Sequence, residues 1–408
     1  MEVPENFVLI KAWKSKTETT PAIFTPELEN TRVLGIDFGT SRIKAAYWDA
    51  EKGEAVVLPL GKGERLYVPS LFHVSEDGKI RFGDEAEMML HQDSSGVVEN
   101  LKLDLAKPIK YVPNGQLVKS GELMALLYRR IIDYASRQVQ SFGGNAPKML
   151  VLTLPSCWDY SDIYMEALES IRYKGEKMVI REPEAAGLAW VEEKKPEAGD
   201  MLMVLDFGGG TVDWACLQVD DNHRPVMIPE LSPGGIYSAG SHVDDGLLDE
   251  MMTQLNREQI IDVLQNRAQV LEQIRRMKES QNGQASLTRK DGVPEVSLRT
   301  GSFAFPKKVF EEVVKREVVD LAVEGIGVYV KKVVRHMTAQ NSKKHIWCLL
   351  TGGTRFLVGM EDQVVERVME IGKAGGVDIR FVKIDQADFA MVRGAVLKGV
   401  SAIDIKSY

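Results

Sequence analysis

Cysteine, membrane-length apolar runs and positive charge are all in short supply in this chain, and each scarcity closes off a class of function. Three cysteines, Cys157, Cys216 and Cys348, stand far apart in or beside apolar stretches. They form no disulfide framework and no metal-ligand spacing, so they read as core thiols of a protein kept in a reducing, cytoplasmic compartment. No apolar run approaches the ~20 residues that a membrane span requires. Met1 to Asn30 is polar, with Pro4, Pro21 and Pro26, so neither a leader nor an anchor is expected. Lys and Arg number 51 against 59 Asp and Glu, a formal net charge of −8. That balance argues against a nucleic-acid partner. The basic pairs Lys331-Lys332 and Lys343-Lys344 read as solvated faces. No low-complexity linker divides the 408 residues, of which 44% are hydrophobic. Lobes sharing one cleft are expected, rather than beads on a string.

Two segments stand out from that background. The first is Leu34-Gly35-Ile36-Asp37-Phe38-Gly39-Thr40-Ser41. The second is Val204-Leu205-Asp206-Phe207-Gly208-Gly209-Gly210-Thr211-Val212-Asp213. Each reads as a buried strand, an Asp, a Gly-rich turn bearing Thr, and a second apolar strand. Asp37 and Asp206 lie 169 positions apart. One such hairpin is an ordinary turn; two at half-chain separation point to duplicated lobes that pinch one polyphosphate. Glycines let backbone N–H groups approach phosphate oxygens. Thr40, Ser41 and Thr211 add hydroxyl donors. Asp37, Asp206 and Asp213 would repel a bare phosphate and make sense with a hydrated Mg2+ between, since Mg2+ keeps its waters and takes few carboxylates directly.

The rest reads as mixed α/β. Residues 1–31 are an extension, with a short strand expected at Phe7 to Ile10. Strands are expected at Val33–Phe38, Ile43–Trp48, Ala55–Pro59, Leu66–His73 and Lys79–Phe82, and a 3.6-residue apolar period marks a helix over Gly121 to Gln140. A strand at Met149–Leu154 ends at Pro155. Helix is expected from Asp159 to Arg172, a short strand at Met178–Ile180, and helix from Pro183 to Lys194. The second half continues with a long helical region from Val243 to Glu279, strands near Ala285–Leu287 and Val296–Leu298, and a helix pair over Phe305 to Met337. A strand at Ile346–Leu350 runs into the turn Thr351-Gly352-Gly353-Thr354, followed by helices from Gly359 to Gly372 and Phe389 to Ala402.

Four segments together resemble the nucleotide-binding domain of the 70-kDa heat-shock chaperone family. They are the two hairpins, Arg181-Glu182-Pro183-Glu184-Ala185-Ala186 and Leu350-Thr351-Gly352-Gly353-Thr354-Arg355. The resemblance spans about residues 32 to 403. It implies the two-lobed actin-like ATPase (ribonuclease H-like) fold, with four subdomains around a central cleft that takes ATP or ADP with Mg2+. One lobe would comprise 32–199 and 383–408, with a small subdomain at about 66–145. The other would comprise 200–382, with a small subdomain at about 241–304. Asp37 and Asp206 resemble the carboxylates that hold Mg2+ through water. Gly39, Thr40, Ser41, Gly208, Gly209, Gly210 and Thr211 resemble the phosphate cradles. Glu182 and Asp213 resemble the acids that orient the attacking water, and Lys102 the lysine that reaches the terminal phosphate. Gly240, with Asp244 beside it, Glu272, Arg275 and Arg276, then Gly352, Gly353, Thr354 and Arg355, resemble the adenosine-contacting set, supported by Asp388. Arg276 and Arg355 are placed by the resemblance to stack on the base.

Departures from the family pattern carry expectations too. No peptide-binding domain is expected, since only Ile403-Asp404-Ile405 resembles the family's linker, and Ile163 stands eight residues after Pro155 where the family relays through Arg. The turn after Gly352 is one residue short, so base contacts there are expected to differ. The expectation is therefore a stand-alone ATPase that hydrolyses Mg-ATP slowly and switches a dedicated partner, a J-domain protein or an exchange factor, on the surface near Pro155, Ile163 and the last helix. A polymerising actin-like ATPase, a small-molecule kinase of the same superfamily and an adaptor without turnover are the rival readings.

Overall fold

A computed structural model describes residues 7–9, 32–102, 110–111, 117–118, 120–156, 169, 171, 173–281, 295–340 and 345–406. Cys157, Ile163, Ser407-Tyr408, the strand expected at Ala285–Leu287 and most of the helix expected from Asp159 to Arg172 lie outside the described residues.

Both hairpins form, and each organises a sheet. Val33–Phe38 and Met201–Phe207 are buried at every position, as near-continuous apolar strands must be when both faces of a sheet are covered. Val33–Phe38 pairs antiparallel with Arg42–Asp49 and parallel with Met149–Leu154, which pairs parallel with Glu176–Arg181. Met201–Phe207 pairs antiparallel with Val212–Val219 and parallel with His345–Thr351, which pairs parallel with Asp378–Val382. Outside each hairpin runs a further antiparallel strand, Glu54–Val57 in the first sheet and Gly234–Ile236 in the second. The two sheets thus share one plan, the duplication that the paired motifs imply. At the edge of the second sheet, Phe7–Leu9 pairs antiparallel with Gly234–Ile236.

Helices fill the layers between and outside. Ser120–Gln138 turns Leu123, Leu127 and Ile131 onto Leu34, Ile36 and Ile43 of the first sheet. The other face of that sheet, through Val33, Ala46, Met149 and Val151, meets Val392, Ala395 and Val396 of the helix Ala390–Lys406. Glu182–Lys194 contributes Ala185 to that same cluster, while Ala186, Ala189 and Trp190 pack on Leu202, Val204 and Leu349 of the second sheet. These two helices therefore lie between the sheets. Their small residues permit the approach: a side chain at Gly394 would run into the Ala185 carbonyl. The far face of the second sheet is covered by Ile326, Val330 and Val333 of Asp320–Ala339 and by Val364 and Val368 of Met360–Ala374.

Several expected elements take a different form. The region from Val243 to Glu279 is three helices, Gly240–Met252, Arg257–Gln265 and Arg267–Gln281. The first break arises because Asn256 caps a new helix, its side chain accepting from Gln259 N–H while Gln259 returns the bond. The helix pair expected over Phe305 to Met337 is one continuous run, Lys307–Val314, a π-helical Lys315–Val319 and Asp320–Ala339. The strand expected over Leu66–His73 splits into Val68–Pro69 and Phe72–Val74, as a proline without an N–H favours. Cys216 and Cys348 are buried, and burial pushes both thiols up. No helix among the described residues is long and apolar enough to cross a membrane.

Candidate functional site

The two glycine turns close in the same way. Gly39 N–H donates to the Arg42 carbonyl at 3.1 Å, and Gly208 N–H to the Thr211 carbonyl at 2.9 Å. They also face each other: a Cβ on Gly209 would land on the Ser41 hydroxyl. The third glycine turn completes the wall. Gly352, with φ of +85°, passes against the Phe207 carbonyl and the Asp206 carboxylate, a path closed to a residue with a side chain. Thr354 Oγ1 then donates to the Gly208 carbonyl at 2.6 Å.

Between these turns opens a cavity of about 290 Å³. From the first hairpin it is lined by Asp37, Gly39, Thr40 and Ser41; from the second by Asp206, Gly208, Gly209 and Thr211. Lys102 and Glu182 stand at its floor beside them, and Gly240, Arg275, Gly352, Gly353, Thr354 and Asp388 complete the nominated lining. Gly210, Asp213, Glu272, Arg276 and Arg355 do not line it. Asp213 is fully buried directly behind, opposite Asp206 in the hairpin ladder.

The floor is strongly acidic. Asp37, Glu182, Asp206 and Asp213 are all less than a tenth exposed. Lys102 Nζ donates to Glu182 Oε1 at 2.8 Å, and Thr153 Oγ1 donates to Asp37 Oδ1 at 2.9 Å. Burial pushes the Glu182 carboxyl up to about 7, with Lys102 opposing and Asp37 and Asp213 adding to the rise. Asp206 is also held well above the ordinary carboxylate range, first by burial and then by Glu182, Asp213 and Asp37. Four buried carboxylates crowded this way want a cation. Their hard oxygens are of the kind that suits a hard divalent cation, and two of them, Asp37 and Asp206, face the cavity from opposite hairpins. No group of three or more His, Cys, Asp or Glu among the described residues is arranged to grip a metal directly.

The side of the cavity nominated for adenosine is less simple. Arg275 is largely buried and flanked by acids: Asp244 at 3.5 Å, Glu99 at 3.3 Å and Glu272 at 3.0 Å. Although burial works against its charge, these carboxylates and Glu279 hold it above its ordinary value. Arg276 turns instead to Glu272, one helical turn back at 2.8 Å, and to Glu87 at 3.4 Å. Arg355 donates to the Leu350 carbonyl at 2.8 Å and lies over the Phe356 ring. The two guanidinium planes that the sequence placed around a base are thus engaged outside the cavity wall. Apolar lining comes from Tyr67, Phe356, Leu357 and Phe389.

Comparisons with known proteins identify the family. A family model described as Hsp70 protein matches residues 123–355, more than half of the chain. The chain belongs to the Hsp70 family. Among similar proteins, the chaperone protein DnaK of Thermoplasma volcanium is 23% identical over 90% of this chain and 59% of its own length. That of Methanothermobacter thermautotrophicus is 24% identical over 92% of this chain and 61% of its own. This Hsp70-family chain therefore spans about three fifths of the relatives it matches. Its mixed α/β architecture, with two sheets of one plan, is consistent with the actin-like ATPase fold.

Cavity residues missed in the sequence are Arg42, Lys44, Tyr67, Lys278 and Glu279. Lys278 is buried, pairing with Asp244 Oδ1 at 2.6 Å and donating to the Gly240 carbonyl. Arg42 reaches Glu279 at 3.0 Å, and its guanidinium lies 4.5 Å from the Tyr67 ring centroid. Lys44 had a readable signal: it stands as far past Asp37 as Asp213 stands past Asp206.

Proposed function

We propose that the cavity binds one Mg-ATP or Mg-ADP and that the chain hydrolyses ATP slowly, using the nucleotide to switch its hold on a partner protein. The observation that carries this reading is the pair of identically closed hairpins facing one another over a floor of four buried carboxylates. In this reading the Gly39–Ser41 and Gly208–Thr211 turns cradle phosphates with backbone N–H groups and hydroxyls. Lys102, already inside the cavity, answers terminal phosphate charge. Glu182 and Asp213 orient a water for in-line attack, and the raised Glu182 suits it to accept a proton near neutral pH. The Mg2+, when bound, supplies charge neutralisation for the phosphates. Asp37 and Asp206 would hold it through water.

The lobes follow the sheets: residues 32–199 with 383–408, and residues 200–382, with the helices Glu182–Lys194 and Ala390–Lys406 as the seam along which their angle changes. A small subdomain within each gives four subdomains around the cleft. A partner of the J-domain or exchange-factor class would read that angle. Because Arg276 and Arg355 are engaged elsewhere, base selection falls to their release from Glu272 and Leu350 or to the aromatic lining. Calorimetry with ATP, ADP and GTP, each with Mg2+ and with chelator, tests the reading. Adenine nucleotides should bind and GTP should bind more weakly; equal affinity for GTP sinks the adenosine assignment, and no nucleotide binding sinks the whole.

A further inference from the structure

The two hairpins close alike, yet the residue paired with the acid differs in charge between them. In the second, the residue laddered opposite the acid Asp206 is another acid, Asp213. In the first, the residue laddered opposite Asp37 is Lys44. The duplicated positions therefore carry opposite charge. We propose that Lys44 is a built-in counter-charge for the phosphate chain, so that this cavity retains nucleotide when divalent metal is removed. The inference rests on the nucleotide-binding reading above and adds to it the residue that sets metal dependence.

The geometry fits a cation held ready for a ligand. Lys44 lines the cavity. Its ammonium donates to the Asp388 carbonyl at 2.6 Å, which fixes the end of an otherwise flexible side chain. Asp37 Oδ2 lies 3.6 Å away, close enough to attract and beyond a good hydrogen bond. An ammonium has three donors, so anchoring to one carbonyl leaves capacity toward the cavity. The Phe389 ring, 5.6 Å away, offers its face to the same charge. Lys44 also pulls Asp206 down against the other acids of the floor. Lys102 is differently committed, bonded directly to Glu182 at 2.8 Å. Of the three lysines that line the cavity, Lys102 and Lys278 each hold a carboxylate directly, at 2.8 and 2.6 Å, whereas Lys44 stands against the first phosphate turn with the Asp37 carboxylate at 3.6 Å. A phosphate oxygen arriving over Gly39–Ser41 would meet this ammonium whether or not Mg2+ comes with it.

The test is calorimetry on the full chain and on Lys44→Met and Lys44→Arg, with Mg-ADP, with ADP plus chelator, and with adenosine. Chelation should weaken ADP binding to the wild type by less than about tenfold and to Lys44→Met by about a hundredfold, the scale of one charge-assisted contact. Adenosine, which has no phosphate, should bind both alike, and Lys44→Arg should recover part of the metal-free affinity. A hundredfold loss on chelation in the wild type overturns the proposal without reference to any variant. So does an equal loss of adenosine and ADP affinity in Lys44→Met, which would mark a structural residue. Failure of Mg-ADP to bind the wild type overturns the nucleotide reading itself and this inference with it.

Discussion

Asp206→Asn should make the metal-free protein more stable near neutral pH while removing the benefit of metal and nucleotide. The reasoning starts from the crowding of Asp37, Glu182, Asp206 and Asp213. Glu182 rises from an ordinary 4.5 to about 7, and at ~1.4 kcal/mol per pH unit that shift corresponds to about 3 kcal/mol against the ionised form. Burial is the larger part, so deleting one neighbouring charge should return on the order of 1 kcal/mol, with relief of the buried Asp206 itself in addition. Because the folded-state values of Glu182 and Asp206 lie above the unfolded ones, the unfolded chain releases these protons first as pH rises. Their contribution to stability therefore declines from the ordinary carboxylate range through about 7. Thermal unfolding in chelator near pH 6 and near pH 8 isolates the effect as the difference between variant and wild type. The variant should gain relative to wild type at the higher pH, and saturating Mg-ADP should then raise the wild type further than the variant. A variant that melts lower than wild type in chelator at the higher pH, with no dependence of the difference on pH, would refute the reasoning.

Glu182→Gln should slow single-turnover ATP hydrolysis by about tenfold or more while leaving Mg-ADP affinity within a few-fold, since it removes a proton acceptor rather than a binding group; unchanged turnover in rapid-quench experiments removes Glu182 from the chemistry. Lys278→Met should destabilise the fold by about 1.5–3 kcal/mol, because it removes the closer of the two cations on buried Asp244 and leaves only Arg275 at 3.5 Å; denaturant unfolding that matches wild type contradicts this. Gly352→Val should cost about 1–3 kcal/mol or more, as its positive φ and its contact with the Phe207 carbonyl both resist a side chain, read as a lowered melting temperature and weakened Mg-ADP binding.

Legibility in the sequence followed local physics. Val33–Phe38 and Met201–Phe207 were readable because a strand buried on both faces is a continuous apolar run, and the glycines after each acid announce a tight turn. Ser120–Gln138 was readable from its 3.6-residue period. Asp378–Val382 was not, because only Ile379, Phe381 and Val382 mark a five-residue edge strand whose partner is far away in sequence. Gly234–Ile236 was hidden by its glycines, of which Gly234 serves close approach to Trp214 rather than a turn. In the site, the glycine turns and acids were legible because their chemistry is carried by residue type at fixed spacing. The directions of long side chains were not. Arg276 and Arg355 carry the right groups, but Glu272, Glu87 and the Leu350 carbonyl claim them. Lys278 carried no signal in the sequence, because its partner Asp244 stands on another helix.

The central claim is that both hairpins close on one nucleotide, and hydrogen exchange tests it most directly. Amide exchange should be followed in the turns Gly39–Arg42 and Gly208–Thr211, in chelator and then with saturating Mg-ADP. The account predicts protection of both turns together, at one ADP per chain. Protection of a single turn, or of neither while ADP binds elsewhere, contradicts it.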